Sequence, residues 1–88
     1  MHNGHTLIIP KKHIKDMYEI DNETLSKVHN KAKEIMNLIN DKLKPNGIRL
    51  LQNNGILQEV KHYHLHIIPN YENEEKMEVE KVFNILTK

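Results

Sequence analysis

Polar and apolar residues alternate along His62-Tyr63-His64-Leu65-His66-Ile67, and no other stretch restricts the fold so strongly. In an extended strand successive side chains point to opposite faces. Tyr63, Leu65 and Ile67 therefore share one face, and His62, His64 and His66 share the other. The apolar face needs a covering layer, whereas the imidazole face has no packing reason to exist. We read the strand as running from Glu59 to Pro69.

The covering layer is written between Asn22 and Leu43. Leu25, Val28, Ala32, Ile35, Met36, Ile39 and Leu43 recur at helical spacing and make one apolar stripe. Asp21 is a good N-cap, and Ile20 and Leu25 have the spacing of a hydrophobic staple. Lys42 and Lys44 suit the negative end of the helix dipole, and Pro45-Asn46-Gly47 stops the helix.

Thr6 to Pro10 and Ile48 to Gln52 read as two further strands. Asn53-Asn54-Gly55 breaks the second with residues that tolerate left-handed backbone. A second amphipathic helix is expected over Asn73 to Thr87, with Val79, Val82, Phe83 and Leu86 on one face. The fold class is then α+β: a mainly antiparallel sheet, one long central helix and a C-terminal helix. With 88 residues the chain makes one domain, 1–88, without repeat or linker. A chain this short buries only about 60% of its unfolded surface, so help from a second subunit is natural. An apolar strand at Thr6 with nothing before it is either an edge or the remnant of a longer sheet.

Thirteen basic and 12 acidic residues leave a net charge of +1, which argues against nucleic acid or anionic membrane as a partner. No apolar run approaches the ~20 residues that span a bilayer. Met1 to His5 does not begin a signal peptide. There are no cysteines, which suits a reducing compartment, and the cytoplasm is the default location.

Histidine is the over-supplied residue, at 2, 5, 13, 29, 62, 64 and 66. Same-face neighbours on a strand lie about 6.6 Å apart and the outer two about 13 Å. Zinc gathers its ligands at about 2.0–2.1 Å around one point, so a straight row cannot offer three. A metal site would need another ligand from elsewhere, and His13 is the obvious one. A phosphoryl group fits the row better. A central His64 faces the phosphorus as nucleophile, while flanking imidazoles stabilise the oxygens and protonate the leaving atom. Imidazole titrates near 6.5, which suits both duties.

Two separated motifs carry a family resemblance. Gln58-Glu59-Val60-Lys61-His62-Tyr63-His64-Leu65-His66-Ile67-Ile68-Pro69 resembles the signature of the histidine-triad (HIT) nucleotide-binding family. Asn3-Gly4-His5-Thr6-Leu7-Ile8-Ile9-Pro10-Lys11-Lys12-His13 resembles the same family's upstream strand and following loop. The resemblance implies a HIT-like fold, lacking the family's usual N-terminal segment and with it much of the nucleoside pocket. It implies a nucleotide-binding hydrolase or transferase acting on a purine nucleoside phosphoramidate or related conjugate, through a nucleotidyl-histidine intermediate.

By that resemblance His64 is the nucleophile, His62 and His66 flank it, and His13 supports them from the upstream loop. Asn53 and Gln58 match an asparagine and a glutamine at the phosphate. The family works without metal or other cofactor and usually as a homodimer. His5 also fits the pattern and is read as structural. His29 borders the helix stripe, His2 belongs to the tail, and Lys11 and Lys12 are read as solvated. Glu59 departs from the serine or threonine common among relatives. The alternatives are a nucleotide-binding module without catalysis and a histidine-based metal-binding protein.

Overall fold

A computed structural model describes residues 4–71 and the strand at 83–87. Strand β1 (Thr6–Pro10) is followed by helix α1 (Asn22–Lys42), then β2 (Gly47–Leu51), a short 3-10 turn (Gly55–Leu57), β3 (Leu65–Asn70) and β4 (Phe83–Thr87). The strands form one sheet in the order β2-β3-β1-β4. β3 pairs antiparallel with β1 and with β2, and β4 lies parallel to β1.

α1 begins where the sequence places it. The Asp21 carboxylate accepts hydrogen bonds from Thr24 N (3.0 Å) and Thr24 Oγ1 (2.8 Å). Those bonds to the charged form hold its pKa down at about 2. Ile20 packs against the core, as a staple residue should. At the other end Leu43 and Lys44 both donate to the Ile39 carbonyl, and Lys44 turns the chain with a φ of 48°. The left-handed residue is thus Lys44, ahead of the Pro45-Asn46-Gly47 stop signal.

The core is a single layer between α1 and one sheet face. Val28, Ala32, Ile35 and Ile39 meet Ile8, Ile14, Tyr63, Leu65 and Ile67, all buried. β1 and β3 both alternate buried with half-buried positions, so period two is kept on both. Leu25 is half-buried, and Leu43, the last residue of the expected stripe, is exposed.

Four expectations are corrected. β3 starts at Leu65 rather than Glu59, because residues 59–62 form a bend that returns the chain from the 3-10 turn. β2 runs Gly47–Leu51, one residue earlier than expected, with Gly47 opposite Asn70. β1 is an inner strand, because β4 takes its second edge from Thr6↔Phe83 to Pro10↔Thr87. The C-terminal helix does not extend over 83–87, which are strand; its expected first part, 73–82, lies outside the described residues. β-Branched and aromatic residues suit that pairing, and an unpaired edge on β1 would leave its backbone groups open.

Gly4 shows how tightly the start of β1 is fitted. Its φ is +88°, and a Cβ placed there would lie 2.7 Å from Leu43 Cδ1. The Thr6 hydroxyl fixes the turn by donating to the Gly4 carbonyl at 2.9 Å. Gly47 has open space around it within 4 Å and no such backbone constraint. Gly4→Ala should therefore cost about 1–3 kcal/mol in a denaturant melt, with Gly47→Ala costing much less. Equal effects at the two positions would contradict this account of the β1 turn.

Candidate functional site

The imidazole face of the sheet is where chemistry collects. Leu7 of β1 sits opposite His66 of β3, so residues of that parity face away from α1. His62, His64 and His66 are all half-buried, while Tyr63, Leu65 and Ile67 between them are 1%, 3% and 0% exposed. The three rings therefore share a face, as the alternation requires.

The row is not straight. The His64 and His66 rings meet edge to face with centroids 4.9 Å apart, closer than an extended spacing sets. His62 turns the other way, toward β1, and its Nε2 lies 3.2 Å from the Pro10 carbonyl oxygen. His13, exposed in the loop after β1, stands T-shaped to His62 at 5.1 Å. The bend over 59–62 releases His62 to make these contacts.

Hydrogen bonds assign the protons. A carbonyl oxygen only accepts, so His62 carries its proton on Nε2, donated to Pro10. His64 donates its Nδ1 proton to the His62 carbonyl at 2.8 Å. In its neutral form, then, the His64 lone pair is on Nε2. A backbone carbonyl thus fixes the tautomer an attacking imidazole needs.

His5 is the residue that sequence reading undervalued. Its Nε2 lies 3.1 Å from His66 Nδ1, with ring centroids 5.3 Å apart. One nitrogen must donate and the other accept, so the contact accommodates one shared proton. The contact follows from the pairing: His5 has the same parity as Leu7, which lies opposite His66. Burial lowers the His66 pKa, and the neighbouring His64 and His5 lower it further. The environment of His66 thus disfavours its charged form.

The two amides from the sequence reading lie in different surroundings. Gln58 is 3% exposed and donates from Nε2 to the Lys15 carbonyl at 2.6 Å. Its Oε1 has no hydrogen-bond partner among the described residues. Asn53 is half-buried in the loop after β2, and its backbone carbonyl accepts from Gln52. Neither amide bonds to an imidazole among the described residues. Glu59 is exposed, and Lys61 donates to the Gly55 and Gln58 carbonyls at 3.0 and 2.9 Å. Lys12 forms a surface ion pair with Asp21 at 3.4 Å, and Lys11 is exposed. Among the described residues no group of three histidine or carboxylate side chains is placed to hold a metal ion.

The lowered His66 pKa has a consequence for stability. A histidine whose folded pKa lies below its unfolded value, about 6.5, gives stability that is fully present above that value. It is lost as pH falls through the folded pKa, because the unfolded chain takes the proton first. His5 and His64 are the titratable rings facing it. Melting temperature should therefore drop as pH falls from 7.5 toward 5, and drop less in His66→Asn. Identical acid sensitivity in the two proteins would contradict the assignment.

Comparison with known proteins gives the family. Residues 1–73 match the HIT domain. The protein named hit from Bacillus subtilis is 44% identical over 70 residues, covering 77% of this chain and 48% of that protein. An adenosine 5'-monophosphoramidase from Schizosaccharomyces pombe is 39% identical over 68 residues, covering 75% of this chain and 48% of the yeast protein. A crystal structure of a hypothetical histidine triad nucleotide-binding protein from Sulfolobus tokodaii superposes with a TM-score of 0.78 at 38% identity, covering 91% of this chain and 55% of that one. The chain spans about half the length of the curated relatives it matches. No helix among the described residues is long and apolar enough to cross a membrane. A HIT-domain match over residues 1–73, the HIT-fold likeness and the row of three imidazoles agree: this chain belongs to the HIT family.

Proposed function

We propose that this chain acts on a purine nucleoside phosphoramidate or related nucleotidyl conjugate, with His64 as the nucleophile. The observation that supports this most is the His64 Nδ1 bond to the His62 carbonyl at 2.8 Å, which leaves the lone pair on Nε2. The likeness to a yeast adenosine 5'-monophosphoramidase supports the substrate class.

In the first step His64 Nε2 attacks the α-phosphorus. The Nε2–P bond forms as the P–N bond breaks, and the amine leaves with a proton supplied by the flanking His62. In the second step water attacks the phosphorus and gives up its proton to the flanking imidazole. The P–Nε2 bond breaks and the nucleoside monophosphate departs. Replacing water with another acceptor makes the same cycle a nucleotidyl transfer. Splitting one displacement into two is what a nucleophilic side chain contributes.

The supporting parts have separate duties. His66, held toward its neutral form, offers the phosphate an N–H hydrogen bond. His13 orients His62 by its edge-to-face contact. By the family resemblance Asn53 is assigned to a phosphate oxygen, and Gln58 retains one N–H beyond the one given to Lys15. The cycle calls for no metal or other cofactor. We further infer a homodimer working in the cytoplasm. Supporting the dimer, β2 is an edge strand on which Leu50 and Leu51 are 40% and 39% exposed.

His64→Ala should lower turnover of adenosine phosphoramidate by at least about a thousandfold while circular dichroism stays unchanged. Nucleotide covalently trapped on His64 would rule out a module that binds without catalysis. Full turnover in His64→Ala would overturn the assignment. Nucleotide bound tightly by the wild-type chain, with neither adduct nor turnover, would favour the binding module.

A further inference from the structure

The loop between β1 and α1 carries His13, and the segment 52–63 holds that loop by three bonds. Tyr63 N donates to the Ile14 carbonyl at 2.7 Å, and Gln58 Nε2 donates to the Lys15 carbonyl at 2.6 Å. The third runs the other way: Met17 N donates to Asn54 Oδ1 at 2.9 Å. Asn54 is the farthest of these anchors along the chain from the imidazoles.

The Asn54 side chain is itself locked. Its Oδ1 also accepts from Gln52 Nε2 at 2.8 Å, and its Nδ2 donates to Gln52 Oε1 at 2.9 Å. Two reciprocal bonds between neighbouring amides fix the plane of the Asn54 amide. That plane sets where its oxygen meets the Met17 N–H. Gln52 also gives a bond to the Asn53 carbonyl at 2.9 Å, tying the pair to the backbone leaving β2. The sheet edge is thus connected through a rigid amide pair to the loop that bears His13.

We propose that Asn54 is a positioning residue: the Gln52–Asn54 amide pair holds residues 14–17 so that the His13 ring stays edge-on to His62. His13 is exposed, and among the described residues no hydrogen bond holds its ring, so its place depends on the backbone beneath it. Ile14 and Lys15 are anchored next to it, and Met17 closes the turn that the Asp16 carboxylate caps through Tyr18 N and Glu19 N. Releasing Met17 frees the far side of this turn and lets His13 swing from His62. The catalytic consequence rests on the function proposed above, whereas the placement of the ring does not.

The test is nuclear magnetic resonance of the imidazoles in the whole chain, with turnover measured alongside. In the wild-type protein a cross-peak between the His13 and His62 rings is expected. Asn54→Ala should abolish it and move the His13 resonances, while Asn54→Asp, which keeps an acceptor for Met17 N but loses the Nδ2 donor to Gln52, should restore both in part. Ile39→Val serves as a control that loosens the shared core without removing any of the three hydrogen bonds to the loop, and it should leave the cross-peak in place. Turnover of adenosine phosphoramidate by Asn54→Ala should fall by roughly ten- to a hundredfold, through kcat rather than KM. An intact cross-peak in Asn54→Ala overturns the proposal, and so does its loss in Ile39→Val. If the wild-type chain has no turnover, the function proposed above fails, while the cross-peaks still decide the role of Asn54.

Discussion

The antiparallel pairing of β1 with β3, in the register that sets Leu7 opposite His66, is the constraint on which the rest of the molecule depends. One residue of slip would turn Leu65 and Ile67 to the open face and the imidazoles into the core. Burying ionisable rings there would be costly, and the apolar stripe of α1 would lose its partners. Core and candidate site are therefore two readings of one register. The bond from His62 to the Pro10 carbonyl and that from Tyr63 N to the Ile14 carbonyl extend the same alignment beyond the end of the ladder.

The helix was legible because its signals are local. Asp21 and Thr24 are three residues apart, and the cap they make is complete within one turn. Val28, Ala32, Ile35 and Ile39 form the buried stripe that their spacing announces. The grouping of His62, His64 and His66 was legible for the same reason, since period two is a local property. The C-terminal strand was not. Val79, Val82, Phe83 and Leu86 satisfy helical spacing, whereas Phe83-Asn84-Ile85-Leu86-Thr87 accommodates a strand equally well. What decides residues 83–87 is the open edge of β1, a partner more than 70 residues earlier in the chain. No local pattern contains that information.

The site divides along the same line. His13 was expected to support the row, and it reaches it through His62. His5 fits the family pattern and is read from sequence as structural. Its contact with His66 exists only once β1 and β3 are paired. Gln58 illustrates the converse. Beside a histidine motif an amide reads as a ligand contact, yet its burial and its bond to Lys15 depend on how the loop folds back. Residue type and spacing identify which groups are available for chemistry. Long-range pairing decides which groups those are bonded to.

The two ends of the imidazole row face different surroundings, and this separates their possible duties. At one end His66 is partly withdrawn from water beside His64 and His5, so its environment resists a second positive charge. At the other end His13 is exposed to solvent and meets His62 edge to face. For His64 in the proposed role that asymmetry is favourable, because a proton placed on His66 would raise the charge beside the attacking ring. Here the difference arises from the sheet itself, because His66 lies within β3 while His62 lies in the bend before it.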